Sequence, residues 1–137
     1  MRALVLGGGG FIGRHLVARL ERDMARGSGR PVDVVDRDVV DLAAVWPNSQ
    51  CRGMDFRWDV VFLLAATVGV DAVTENPSAV LRNNLKIVQN VLDWLPGAGE
   101  TLIFASSSEV YAQPATMLPT PEYAHLAADP VTPRGAY

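Results

Sequence analysis

The sequence predicts an α/β fold built on a doubly wound parallel sheet, and three observations carry that prediction. Short apolar runs alternate with longer amphipathic stretches, the pattern of β-α-β units whose strands lie parallel. Four glycines, Gly7 to Gly10, stand where the first apolar run gives way to the first amphipathic stretch. An acidic residue, Asp36, closes the second apolar run. With 137 residues, 49% of them apolar, the chain is long enough to bury one core.

Ala3 to Leu6 reads as the first strand, buried on both faces. From Gly10 to about Glu21, Phe11, Ile12, Leu16, Val17 and Leu20 recur at helical spacing. Met24 to Pro31 is a polar turn rich in Arg and Gly. Val32 to Val35 reads as the second strand, and Val39 to Leu42 as a short third one. Pro47 and Gly53 interrupt any helix in the stretch up to Trp58. Val60 to Leu64 is a buried strand. A long helix follows, with Asn76 as cap and Pro77 at its first position. Its apolar face is Val80, Leu81, Leu85, Val88, Val91, Leu92 and Leu95, and Pro96-Gly97 ends it. Thr101 to Ala105 is another strand. Five prolines between Ala112 and Pro133 mark an ordered loop.

Composition excludes several functions. The net charge is −3 and no stripe of Lys or Arg exists, which argues against nucleic-acid binding through phosphate neutralisation. One cysteine, Cys51, gives neither a disulfide framework nor a thiolate cluster. His15 and His125 lack clustered companions, so no metal site is expected. The apolar stretches are too short to cross a bilayer, and no signal peptide precedes the glycines. A cytoplasmic protein without membrane contact is the expectation. Trp46, Trp58 and Trp94 are expected in the core or at an interface.

The run Gly7-Gly8-Gly9-Gly10-Phe11-Ile12-Gly13 satisfies G-x-G-x-x-G through Gly8, Gly10 and Gly13. It also satisfies G-x-x-G-x-x-G through Gly7, Gly10 and Gly13. Such a turn from strand to helix lets pyrophosphate oxygens meet backbone N–H groups at the positive end of the helix. The setting is that of a Rossmann-type dinucleotide-binding domain. Asp36 is placed to accept hydrogen bonds from the adenosine ribose hydroxyls, and its carboxylate repels a 2′-phosphate, which favours NAD over NADP. Arg37 beside it offers a guanidinium to that same phosphate, so NADP stays open.

With these residues, the chain resembles the extended short-chain dehydrogenase/reductase family, the NAD-dependent epimerases and dehydratases of nucleotide sugars. The likeness runs over nearly the whole chain. Gly7, Gly10 and Gly13 fit the family's glycine pattern, with Leu6 where a Thr usually stands. The stretch from Asp36 and Arg37 to Asp41 and Leu42 looks like the short link of dTDP-4-dehydrorhamnose reductases, which implies that Asp41 and Leu42 lie near the adenine. A rival alignment gives that role to Asp55-Phe56, but leaves almost no chain for the next crossover. Leu64-Ala65-Ala66 is similar to the family's strand end, where small side chains let the cofactor lie against backbone. Asn84 fits the family Asn on the long helix, although Ile87 replaces the Gly three residues later.

Ser106-Ser107-Ser108-Glu109-Val110-Tyr111, directly after the strand ending at Ala105, resembles the family signature in which the residue at Ser107 hydrogen-bonds the reacting sugar hydroxyl. Tyr137 fits the Tyr of the Y-x-x-x-K pair. The resemblance thus implies Ser107, Tyr137 and Glu109 as the catalytic set. It also implies a dinucleotide bounded by Gly7, Gly10, Phe11, Ile12, Asp36, Arg37, Asp41, Leu42, Leu64 to Ala66, Asn84, Ala105 and Ser106. As base, Tyr137 needs a phenol pKa well below its free value of about 10. A carboxylate at Glu109 is similar to that of sugar 4,6-dehydratases and UDP-glucuronate decarboxylases. The dehydratases, however, usually carry Asp where this chain has Ser108, and in many epimerases such a Glu binds only water or backbone.

The resemblance implies an enzyme on a nucleotide-linked sugar that works through a transient 4-keto intermediate, with epimerisation as the leading outcome. Decarboxylation, 4,6-dehydration, keto-sugar reduction and a non-catalytic NAD-binding module are the alternatives. The family Lys four residues after Tyr137, the last strands and a C-terminal sugar-binding domain fall outside the sequence. Residues 1–137 are therefore expected to be the N-terminal NAD-binding domain of a longer, homodimeric enzyme, its sheet incomplete at the C-terminus.

Overall fold

Ala3–Leu6 form β1, whose residues are all buried. In a strand, successive side chains point to opposite faces, so a strand this apolar needs cover on both. The structure, a computed structural model, describes residues 1–27, 32–44, 58–95, 101–111 and 120–126. After β1 come α1 (Phe11–Ala25), β2 (Asp33–Val35), β3 (Val60–Leu63), α2 (Val70–Glu75), α3 (Pro77–Trp94) and β4 (Thr101–Phe104). A 3-10 turn follows at Ser108–Tyr111. The four strands form one parallel sheet in the order β2-β1-β3-β4. From β1 the chain winds outward to β2 and then returns to β3 on the other side. That reversal makes a topological switch point between β1 and β3, and sheets of this kind bind ligands at the carboxyl ends of the strands there.

The residues gather into two compact units, Met1–Ala66 with Lys86–Ala105, and Thr67–Leu85 with the described residues from Ser106 on. In the first, the core joins Leu4 and Leu6 of β1, Leu42, Val61 and Leu63 of β3, and Ile87 and Val91 of α3. Trp58 and Trp94 pack partly buried against it, with ring centroids 5.2 Å apart. At the amino edge of the sheet the Asp33 carboxylate accepts hydrogen bonds from Arg2 Nε at 2.9 Å and Trp58 Nε1 at 2.7 Å. In the second unit a smaller cluster joins Val73 and Val80.

Three elements depart from the sequence expectation. α1 continues to Ala25, four residues beyond Glu21. An Arg19–Asp23 pair one turn apart, at 2.7 Å, supports the added turn, and that hydrogen bond holds the Asp23 carboxyl below the usual carboxylate range. Val39 to Leu42 is not a strand. The Asp36 carbonyl accepts the Val39 and Val40 N–H groups at 2.9 Å, and Asp41 Oδ1 accepts that of Ala43 at 3.0 Å. Local bonds of this kind use up donors that a sheet ladder needs. α2 was not legible. Its last N–H bond runs from Asn76 to the Ala72 carbonyl at 3.0 Å, while the Asn76 side chain caps α3 by accepting the Ala79 N–H at 3.1 Å. One residue thus closes one helix and opens the next.

Cys51, Trp46, the Asp55-Phe56 alternative and the Pro96-Gly97 stop lie outside the described residues. So does the loop 112–133 except at 120–126, where Ala124 N–H bonds to the Pro121 carbonyl at 3.0 Å. No helix among the described residues is long and apolar enough to cross a membrane.

Leu63 is 1% exposed and Val39 68% exposed, which sets up a direct test of where the core lies. Leu63→Ala is expected to cost about 2–5 kcal/mol in urea unfolding, whereas Val39→Ser changes stability by less than about 0.5 kcal/mol.

Candidate functional site

β1 ends in a turn that only glycine makes easily. Gly7 has φ +89°, and a Cβ there would sit 2.8 Å from the Ala65 backbone nitrogen. Its N–H donates to the Val35 carbonyl at 2.8 Å, while Leu64 N–H donates to the Leu6 carbonyl at 2.9 Å. The sheet ladder therefore extends just past its strands. It brings the glycine turn, the end of β2 and Leu64-Ala65 side by side at the carboxyl edge. Ala105 joins this edge through its N–H bond to the Leu63 carbonyl at 3.1 Å.

Gly13 lies buried in the first turn of α1, and a Cβ there would collide with the Gly7 carbonyl oxygen and lie 2.7 Å from Gly8 Cα. The missing side chain lets the helix start directly on the strand-to-helix turn. Gly10 occupies the N-cap position and supplies no side-chain bond, so the first-turn N–H groups keep their donor capacity and their positive potential. Phe11 and Ile12 are largely exposed beside them. Phe11 meets His15 edge to face, with centroids 5.7 Å apart, and the Arg14 guanidinium sits 5.2 Å from its ring centre.

Asp36 leaves β2 at the same edge. Both of its carboxylate oxygens accept the Gly9 N–H, at 2.8 and 2.9 Å. This bond pins an anionic group to the mouth of the glycine turn. A dinucleotide fits these features, with pyrophosphate on the uncapped amides and a ribose diol on the carboxylate. Arg37 and Asp41 are exposed nearby in sequence, whereas the Leu42 side chain is buried in the core. Asp41 and Leu42 belong to a segment held from α3, since Asn90 Nδ2 donates to the carbonyls of Leu42 and Ala44 at 2.8 and 2.7 Å.

The second unit carries the other predicted residues. Asn84 pairs with the Thr67 backbone in both directions, its Oδ1 accepting the Thr67 N–H at 2.7 Å and its Nδ2 donating to the Thr67 carbonyl at 3.0 Å. Asn83 Nδ2 donates to the Thr67 hydroxyl at 2.8 Å. Ser107 stands at the head of the 3-10 turn, after Ser106. Its Oγ accepts the Glu109 N–H at 3.2 Å and its carbonyl accepts that of Val110 at 3.3 Å. A hydroxyl fixed as an acceptor from its own chain retains its proton for donation to another group. Tyr137 lies outside the described residues. Among the described residues no group of three His, Cys, Asp or Glu side chains could hold a metal ion.

Gly9, Thr67 and Asn90 were not singled out in the sequence. Gly9 was hidden inside its glycine run, and the partners of Thr67 and Asn90 are set only by folding.

A family model for NAD-dependent epimerases and dehydratases matches residues 3–137. UDP-N-acetyl-alpha-D-glucosaminuronate decarboxylase of Bacillus cytotoxicus is 30% identical over 128 residues, covering 82% of this chain and 38% of that protein. UDP-glucuronic acid decarboxylase 1 of Xenopus tropicalis is 30% identical over 149 residues, covering 99% of this chain and 34% of that protein. A crystal structure of UDP-galactose 4-epimerase is similar with a TM-score of 0.71 and 34% identity, over 99% of this chain and 47% of the other. The chain spans little more than a third of the curated relatives it matches.

The glycine contacts make a specific test. Gly13→Ala is expected to lower stability by about 1–3 kcal/mol, because helix and turn must separate to admit a methyl group. Gly27, with nothing within 4 Å of its would-be Cβ, is the matched control. Gly27→Ala leaves the urea midpoint unchanged or raises it.

Proposed function

The chain belongs to the NAD-dependent epimerase/dehydratase family, and from that premise we propose that it is the dinucleotide-binding part of an enzyme acting on a nucleotide-linked sugar through a transient 4-keto intermediate, with epimerisation as the outcome. The observation that carries this reading is the Asp36 carboxylate held on the Gly9 N–H at the mouth of the glycine turn. There it receives the 2′- and 3′-hydroxyls of an adenosine ribose and repels a phosphate on the 2′ position.

Bound there, NAD supplies a reversible acceptor for a hydride from sugar carbon. The residues of this chain manage the proton and the geometry. Ser107, its oxygen already engaged by the Glu109 N–H, donates its hydroxyl proton to the sugar oxygen and fixes that oxygen in place. Tyr137 takes the proton that leaves the same sugar hydroxyl. Its phenol needs a nearby positive charge to lower its pKa into the working range, since proton transfer is most efficient when that pKa lies near ambient pH. With hydroxyl converted to carbonyl, the neighbouring C–H and carboxyl groups become labile, so one oxidation serves several outcomes.

Decarboxylation is the second reading. Two curated relatives at 30% identity are decarboxylases of UDP-linked uronic acids, and Glu109 supplies a carboxylate two residues after Ser107. Cytoplasmic residence and a homodimer belong to the proposal as well.

Titration with NAD and NADP, followed by product analysis on UDP-, dTDP- and GDP-sugars, tests it. The wild type is expected to bind NAD more tightly than NADP, and Asp36→Ala to weaken NAD about tenfold or more and narrow that preference. Ser107→Ala is expected to lower turnover about 100-fold without altering NAD affinity. Release of carbon dioxide from a UDP-uronic acid selects the second reading. Stoichiometric consumption of NADPH makes the enzyme a reductase, and a protein that binds NAD but converts no sugar is a binding module.

A further inference from the structure

Asn90 is a polar residue in the half of α3 that otherwise supplies Ile87 and Val91 to the core. Its amide nitrogen has two hydrogens, and the two acceptors are the carbonyls of Leu42 and Ala44, at 2.8 and 2.7 Å. Both acceptors lie in the segment that runs on from Asp36. That segment makes two successive turns, one closed on the Asp36 carbonyl and one on Asp41, whose Oδ1 accepts the Ala43 N–H and whose carbonyl accepts that of Ala44 at 3.0 Å. Leu42 anchors it from beneath through a buried side chain. The segment is therefore fixed at both ends. Asp36 is held to Gly9 at the start, and the Leu42 and Ala44 carbonyls are held to Asn90 at the finish.

We propose that Asn90 is a positioning residue for the adenosine end of the dinucleotide site, setting the backbone of residues 41–44 and through it the wall that continues from Asp36. The inference rests on the reading of the glycine turn and Asp36 as that site. Asn90 touches no ligand in this scheme. It acts through the Leu42 and Ala44 carbonyl groups, and an apolar residue of equal size cannot replace its two donors. The same exchange frees two carbonyls to seek water, which opens the turn at Asp41 and displaces the surface against which adenosine packs.

The test uses the full chain as wild type, Asn90→Leu, Asn90→Asp and Asn90→Gln, with ADP-ribose as the probe. Asn90→Leu removes both donors at similar volume, and Asn90→Asp does so isosterically, so one of them remains informative if the other does not fold. Amide hydrogen exchange is measured without ligand, and ADP-ribose affinity by calorimetry at a temperature where β1 and β3 amides exchange as in the wild type. Exchange at Ala43 and Ala44 is expected to quicken in both donor-free variants, and ADP-ribose affinity to fall about tenfold. Asn90→Gln, which keeps the amide, restores part of that loss. A donor-free variant with intact β1 and β3 protection and wild-type affinity for ADP-ribose overturns the proposal and leaves Asn90 a purely structural residue. Failure of the wild type itself to bind ADP-ribose overturns the reading of the site, which is a separate result visible before any variant is made.

Discussion

The close approach of α1 to the end of β1 is the constraint on which the rest of the structure depends. At Gly13 there is no room for even one methyl group between helix and turn, and at Gly7 the backbone takes a positive φ against Ala65. Together these two positions fix where the helix begins and where its first N–H groups lie. Moving the helix outward by the width of a methyl group would carry those donors away from Asp36 and from the carboxyl edge. The Asp36 carboxylate and the positive helix end lie together at this edge because two side chains are missing. This is also why glycines, which weaken an ordinary helix, are tolerated in the first turn of this one.

The two edges of the sheet are built differently. At the amino edge, Asp33 is occupied by Arg2 and Trp58, while Trp58 packs against Trp94 with the rings tilted by 49°, so charge and aromatic surface there meet partners within the chain. At the carboxyl edge the ladder is prolonged by single bonds at Gly7, Leu64 and Ala105, and the chain then turns away. Side-chain bonds thus close the amino edge, while the carboxyl edge is where parallel sheets with a switch point bind their ligands.

Much of this was legible because it depends on short-range pattern. The four strands followed from apolar runs, α3 from an Asn-Pro start and helical spacing, and the glycine turn from its own composition. The face of α3 was only partly right, since Leu81, Leu85 and Leu92 are exposed and Ile87, left out of it, is buried. What failed depends on competition between local and distant bonds. Val39 to Leu42 has the look of a strand, but Asp36 and Asp41 captured its N–H groups within the segment. α2 is too short for a 3.6-residue period to register, and the residue that ends it was read only as the start of α3. The roles of Asn83, Asn84 and Asn90 share one cause. Polar residues on a helix look alike in sequence, and only folding decides that Asn84 meets Thr67 while Asn90 meets Leu42 and Ala44. The position of Asp36 at the end of the second strand, by contrast, could be read directly, because a strand end is set by short-range pattern. The position of Ser107 just after a strand was legible for the same reason, and its bond from the Glu109 N–H was not.

Parallel pairing throughout the sheet has a kinetic consequence. Among the described residues, no strand meets its neighbour through a hairpin. Leu4 pairs with Asp33, Ala3 with Val60, and Val60 with Thr101, so every pairing waits on the closure of a long stretch of chain. Closure entropy grows only slowly with length, by about 0.6 kcal/mol for each doubling, so these three closures differ little in cost. Chain length alone does not dictate which forms first. The order is left to the helices, which form locally and fast and carry the apolar faces that the strands must meet. β1 is the shared partner of β2 and β3, so both of its edges stay unpaired until those distant segments arrive. Until those partners arrive, a strand whose four residues are all buried in the finished fold presents apolar side chains and two unpaired edges, the features that favour self-association in a partly folded chain.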